Sequence, residues 1–164
     1  MNSAVRERAL EKLNLHFKDS ILSTNEFRGE LTVVIKKEYV VRVCEFLKCD
    51  DELRFDLLAD LSGVDMYTPA DRFQVVYHLY SLKNRFRVRL KVFVDESDLR
   101  IPSVSGVWST ANWHEREAYD MFGIVFDGHP DLRRLYMPEE FEYYPLRKDF
   151  PLMGIPGSLP LPKK

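Results

Sequence analysis

Two runs of apolar/polar alternation joined by a short turn constrain this chain's fold more than any other feature. In residues 72–81, Phe73, Val75, Tyr77 and Leu79 alternate with Gln74, Val76, His78 and Tyr80. After a turn at Lys83 and Asn84, Phe86, Val88, Leu90, Val92 and Val94 alternate with Arg85, Arg87, Arg89 and Lys91. A period of two sends successive side chains to opposite faces of a sheet, so the pair predicts an antiparallel hairpin with one face on a core.

Helical patterns flank that hairpin. Leu10, Leu13, Phe17 and Ile21 recur at helical spacing and predict an amphipathic helix over residues 4–18. A strand is expected over 30–36, and a second helix over 39–47 with Val40, Val43, Cys44 and Leu47 on one face. In residues 55–66 the spacing of Phe55, Leu58 and Leu61 suits a helical turn or a half-buried strand; the favoured reading is a short helical start passing into a strand at 61–65. Residues 95–107, with Pro102, read as a loop. Asn112 is placed as an N-cap with Glu115 three residues on, the spacing of a capping box, and Gly123 stops a helix over 113–122. A one-turn helix is expected at Pro138. Five of the nine prolines lie between Pro145 and Pro162, which predicts an extended tail. The order of elements is α+β: helices packed on a mainly antiparallel sheet, with a domain over 1–137 and an extended Pro-rich C-terminal docking tail over 138–164.

Composition narrows the function classes. With 164 residues the chain is large enough for one domain with a real core, and 24 basic against 26 acidic residues leave a formal charge of −2. Such a balance steers the chain neither to nucleic acid nor to an anionic membrane. The first seventeen residues interleave charge with apolar positions, unlike a signal or transit peptide, and no window reaches the roughly 18 apolar residues of a membrane span. Cys44 and Cys49 alone make no disulfide framework or cluster site and read as packing residues in a reducing compartment.

The richest stretch is residues 113–151, which concentrates acids, arginines, aromatics and prolines without the residue set of a self-contained active site. On a helical wheel Arg116, Glu117 and Asp120 fall within about 100° of one another and flank Trp113, while Glu115 lies on the other side between Tyr119 and Phe122. Apolar groups surround the helix almost completely, so it is expected to be covered on more than one side, as in a surface shaped for another protein. Glu115 has two readings: a capping-box acid, or a buried carboxylate paired with Arg133 or Arg134. Glu117 and Asp120 are conceivable as a general acid/base couple, but a neighbouring arginine favours ion pairing. His114 and Glu115 begin an HE pair, yet Ala118 stands where a zinc-binding HExxH needs its second histidine. The seven glycines form neither GxGxxG nor a phosphate loop. The Arg85, Arg87, Arg89 and Lys91 stripe reads as the solvated sheet face, with His78 and Phe93 as candidate interface residues.

Three ordered blocks carry a resemblance: Glu115 to Ile124 (EREAYDMFGI), Gly128 to Arg134 (GHPDLRR) and Pro145 to Pro151 (PLRKDFP). They resemble the signature of the 30 kDa (C-type) subunit of NADH:quinone oxidoreductase, respiratory complex I. The likeness extends upstream through Leu53 to Asp56 and Val75 to Ser81. Tyr143-Tyr144 stands where the family commonly has Gly-His, and Tyr136 where an aliphatic residue is usual. The resemblance implies a cofactor-free, non-catalytic subunit of the hydrophilic arm, with FMN and iron-sulfur clusters in partner chains. It also implies contact with the 49 kDa (D-type) and B-type subunit homologues and with other hydrophilic-arm subunits. Its implied place is peripheral, on the cytoplasmic face of a bacterial inner membrane. The chain ends soon after the third block, unlike the form fused to the 49 kDa partner. The expected interface and structural residues are Trp113, Glu115, Arg116, Glu117, Asp120, His129, Arg133, Arg134, Pro145, Arg147, Lys148 and Asp149. Alternatives are the equivalent subunit of a membrane-bound hydrogenase or of a non-NADH quinone or phenazine dehydrogenase, and, in another class, a free-standing enzyme using Glu117 and Asp120.

Overall fold

The computed structural model describes residues 2–151 and 153. Helix α1 (Asn2–Phe17) leads through a 3-10 turn into strands β1 (Ile21–Phe27) and β2 (Glu30–Ile35), then α2 (Val40–Cys49), β3 (Leu57–Asp65), β4 (Phe73–Ser81) and β5 (Phe86–Val94). A short β6 (Arg100–Pro102), helix α3 (Ala111–Phe122) and β7 (Val125–Asp127) follow. The five long strands form one sheet in the order β1-β2-β5-β4-β3; every pairing is antiparallel except β2 with β5. β6 and β7 make a separate parallel pair. The α+β class expected from the sequence is the one observed.

Register explains the layering. Val33, Leu90, Tyr77 and Leu61 stand in one row across the sheet, as do Leu31, Val88, Leu79 and Leu58, and all are buried. Ala9 and Leu13 of α1, the predicted Val40, Val43, Cys44 and Leu47 of α2, and Ala118, Met121 and Phe122 of α3 complete this core. The other face carries Arg87, Arg89 and Lys91 with Tyr80, His78 and Val76 opposite them. Arg89 bonds Glu30 at 2.6 Å there, and Arg87 lies over the Tyr80 ring.

Three sequence expectations are corrected. The first helix ends at Phe17, and Ile21 opens β1, a strand that is exposed beyond its first residue. No helical turn starts at Phe55; β3 is extended from Leu57, and a bulge between Leu58 and Asp60 produces the misleading spacing of three by returning Leu58 and Leu61 to one face. The 95–107 segment is not a plain loop, because Arg100–Pro102 pairs with Val125–Asp127. At Pro138 the expected one-turn helix is a hydrogen-bonded turn, closed by the Phe141 N–H donating to the Pro138 carbonyl. Pro156, Pro160 and Pro162 of the tail lie outside the described residues.

Candidate interface on helix α3

Helix α3 approaches the sheet where β3 has no side chain to obstruct it. A Cβ on Gly63 would stand 2.6 Å from the Phe122 ring and 3.3 Å from Ile124, so glycine is required for that contact. The helix ends at Gly123, whose φ of 80° is left-handed. A Cβ there would also meet Tyr144 at 2.7 Å and Arg147 at 2.8 Å.

The sheet-facing side of α3 holds Glu115, with no exposed surface. Its Oε1 accepts the Val104 N–H at 2.7 Å and its Oε2 accepts the Ser103 hydroxyl at 2.6 Å. The capping-box reading of this residue is thereby corrected, and of the other reading the burial holds while the arginine partner does not. Thr110 occupies the N-cap, Asn112 lies inside the helix, and Glu115 meets a loop and no arginine. Burial pushes its carboxyl up to about 7, against the opposing effect of the Ser103 and Val104 donors. His129 sits 3.9 Å away. Its Nδ1 accepts the Asp131 N–H at 3.0 Å, so the proton is on Nε2 and is donated to the Asn112 carbonyl at 3.1 Å. Thus one histidine ties the turn after β7 to the first turn of α3.

The outer side of α3 holds an irregular strap, residues 133–137. Arg116 donates from Nε to the Arg133 carbonyl at 3.1 Å and from Nη2 to the Arg134 carbonyl at 3.2 Å. Asp120 Oδ2 accepts the N–H groups of Leu135, Tyr136 and Met137 at 3.0, 2.6 and 3.0 Å, and Oδ1 accepts Arg134 Nη1 at 2.8 Å. Side chains of a helix therefore do for this strap what a neighbouring strand would do. Burial opposes the Asp120 charge, but the Tyr136, Met137 and Leu135 amides with Arg134 prevail and hold its carboxyl below the usual range. These donors fill the carboxylate's roughly four acceptor sites, leaving none facing a substrate.

A second anchor holds the chain beyond Tyr143. Arg134 donates to the Tyr143 carbonyl and stacks on Tyr144, while Arg147 lies 4.5 Å over the Tyr144 ring and donates to the Phe122 carbonyl at 2.7 Å. Pro145 is half-buried, and the next amide, of Leu146, bonds the Met121 carbonyl. The Lys148 N–H donates to Asp65 Oδ2 at 2.8 Å, and Asp149 pairs with Arg72 at 2.8 Å. Arg72 also grips Asp65 through two bonds and reaches Glu96. Burial raises the Asp65 carboxyl, but Arg72 and the Lys148 and Tyr67 amides outweigh it and set it at about 2. Asp65 and Arg72 are absent from the residues expected from the sequence; the only signal is an acid and an arginine at facing ends of predicted strands.

Of the remaining expected residues, Trp113 is 62% exposed, with the Arg116 guanidinium 5.0 Å from its ring. Glu117 is exposed, and Arg133 is exposed and paired with Asp131. Cys44 is buried, which pushes its thiol up, whereas Cys49 is exposed and not the packing residue expected. Among the described residues no group of three or more His, Cys, Asp or Glu side chains is placed to hold a metal ion, and no helix is long and apolar enough to cross a membrane.

An antiparallel-rich sheet with helices on one face, and a strap bound by side chains of the last helix, defines a class of small α+β domain built around a non-regular segment. Residues 33–156 match the family model for the respiratory-chain NADH dehydrogenase 30 Kd subunit, and the chain belongs to that family. It is 51% identical over 151 residues to the NADH-quinone oxidoreductase C subunit of Geotalea uraniireducens (strain Rf4), covering 92% of this chain and 91% of the relative. The corresponding C subunit of Roseiflexus sp. (strain RS-1) is 53% identical over 143 residues, covering 87% and 82%. Among solved structures, a trypsin-resistant fragment (1-134) of Nqo5 matches with a TM-score of 0.67 and 38% identity, covering 78% of this chain and 99% of the fragment. A chain from an archaeal membrane-bound sulfane sulfur reductase shares the fold with a TM-score of 0.76 at 20% identity, covering 90% of this chain and 86% of that chain.

Proposed function

We propose that this chain is a cofactor-free, non-catalytic structural subunit in the hydrophilic arm of NADH:quinone oxidoreductase, docking through residues 113–151 onto the 49 kDa (D-type) and B-type subunit homologues. In this reading FMN and the iron-sulfur clusters reside in partner chains, and the assembled complex couples electron transfer from NADH to quinone with proton translocation. The protein is peripheral, on the cytoplasmic face of a bacterial inner membrane, and meets the membrane only through the complex.

One observation carries the reading. Glu115 and Asp120, the two buried acids of α3, are both committed to backbone donors that hold neighbouring segments, while Trp113 and Tyr136 on the same structure point into solvent. A site for chemistry needs a free acid, base or nucleophile beside a pocket, whereas a docking surface needs rigid support beneath exposed aromatics. The family relationship and the names of the relatives support the same conclusion.

The test is co-purification with the 49 kDa and B-type homologues from cells carrying Glu115→Ala or Arg134→Ala. Both variants are expected to reduce the amount of assembled complex and leave turnover per assembled complex unchanged. Normal assembly with slow turnover would contradict the proposal.

A further inference from the structure

The docking face has a charge that specifies what it meets, an inference that rests on the docking reading above. Trp113 and Tyr136 are each 62% exposed. Both are tied to one stripe of α3: Trp113 stands on it with Glu117 one turn on, and the Tyr136 amide is bonded to Asp120, the next position along it. Exposed aromatics of this size, held on a rigid base, are the usual centre of a protein contact.

The charges nearby are unequally spent. Arg116 is occupied by two carbonyls, Arg133 by Asp131, Arg134 by Asp120 and Arg147 by the Phe122 carbonyl. Glu117, Glu139, Glu140 and Glu142 are exposed and have no ion-pair or hydrogen-bond partner among the described residues. Against these four carboxylates the lysine and arginines of residues 113–151 offer, among the described residues, one unpaired cation, the Lys148 ammonium. Three of the acids fall within four residues of one another, so they repel, and a cationic surface relieves that repulsion.

We propose that this face receives a basic, aliphatic surface of a neighbouring protein in the complex, whose lysine or arginine heads reach Glu117, Glu139, Glu140 and Glu142 around an apolar contact with Trp113 and Tyr136. A second copy of this chain is a poor occupant, because a twofold contact would set the same acids against each other. Nucleic acid and anionic lipid are disfavoured for the same reason.

The test is competition during assembly. A tagged full-length variant is expressed beside the untagged wild-type chain, and the ratio of the two in the purified complex is divided by their ratio in the cell. Neutralising Glu139, Glu140 and Glu142 together to Gln is expected to lower this quotient about tenfold, and reversing all three to Lys to lower it further. Trp113→Ala is expected to lower it with no change in charge. Unchanged melting of each isolated variant separates docking from folding. Wild-type incorporation of both charge variants, with Trp113→Ala still depleted, would overturn the basic partner and leave the docking surface standing. Wild-type incorporation of all three variants would overturn both.

Discussion

Arg116 and Asp120, one turn apart on α3, bind the two kinds of backbone group in a single strap: Arg116 takes the carbonyls of residues 133 and 134, and Asp120 takes the amides of residues 135 to 137. The sequence spacing invites an i, i+4 ion pair between them. Each instead turns outward to a segment with no regular structure of its own, and the third block of acids and arginines is fastened next to it.

Removing Asp120 is therefore costly. Asp120→Ala leaves three N–H groups and the Arg134 guanidinium without their acceptor, and is expected to destabilise the chain by about 3–5 kcal/mol. Asp120→Asn retains one carbonyl oxygen and should cost less. Urea unfolding gives the magnitudes, and amide exchange should show the loss of protection centred on residues 135–137.

Glu115 makes stability fall as pH rises. Its folded carboxyl titrates at about 7 against 4.5 for the free group, so its contribution is fully present below pH 4.5 and is lost as pH climbs through 7. The loss is on the order of 3 kcal/mol. Glu115→Gln should remove this dependence, because its amide can donate to Ser103 while its carbonyl accepts from Val104. Denaturation curves of both proteins from acid to mildly alkaline pH check this; parallel curves would contradict it.

Asp65 acts in the opposite direction. Its folded value of about 2 lies below the ordinary 3.8, so its contribution is present above pH 3.8 and is lost as pH falls through 2. Asp65→Asn should flatten the acid limb in that window and, by releasing Arg72 and the Lys148 amide, raise protease sensitivity near residue 148.

Gly63→Ala places a methyl carbon 2.6 Å from the Phe122 ring, and α3 must shift to accept it. The expected cost is about 1–3 kcal/mol, read as a lower melting temperature. Gly106→Ala, with nothing within 4 Å of the added carbon, is the control.

Local periodicity decides how much of the fold is legible in the sequence. β4, β5 and α2 can be read because every second residue, or one helical face, is apolar and buried. β1 cannot, since all of it beyond Ile21 is exposed and no alternation marks a core side. The start of β3 mimics a helical turn because its bulge puts two buried leucines three apart. At the site, the three motif blocks mark most of the residues that matter and leave their partners hidden. Glu115 meets a loop amide, and Asp65 meets Lys148, 83 residues away; neither relation leaves a local pattern.

Whether the α3 strap and the segment after it form a docking surface is tested most directly by amide hydrogen exchange on the full chain alone and within the purified respiratory complex. Residues 133–149 are expected to exchange markedly more slowly in the complex, while residues 73–94 of the central hairpin change little. Equal exchange of residues 133–149 in both preparations would contradict it.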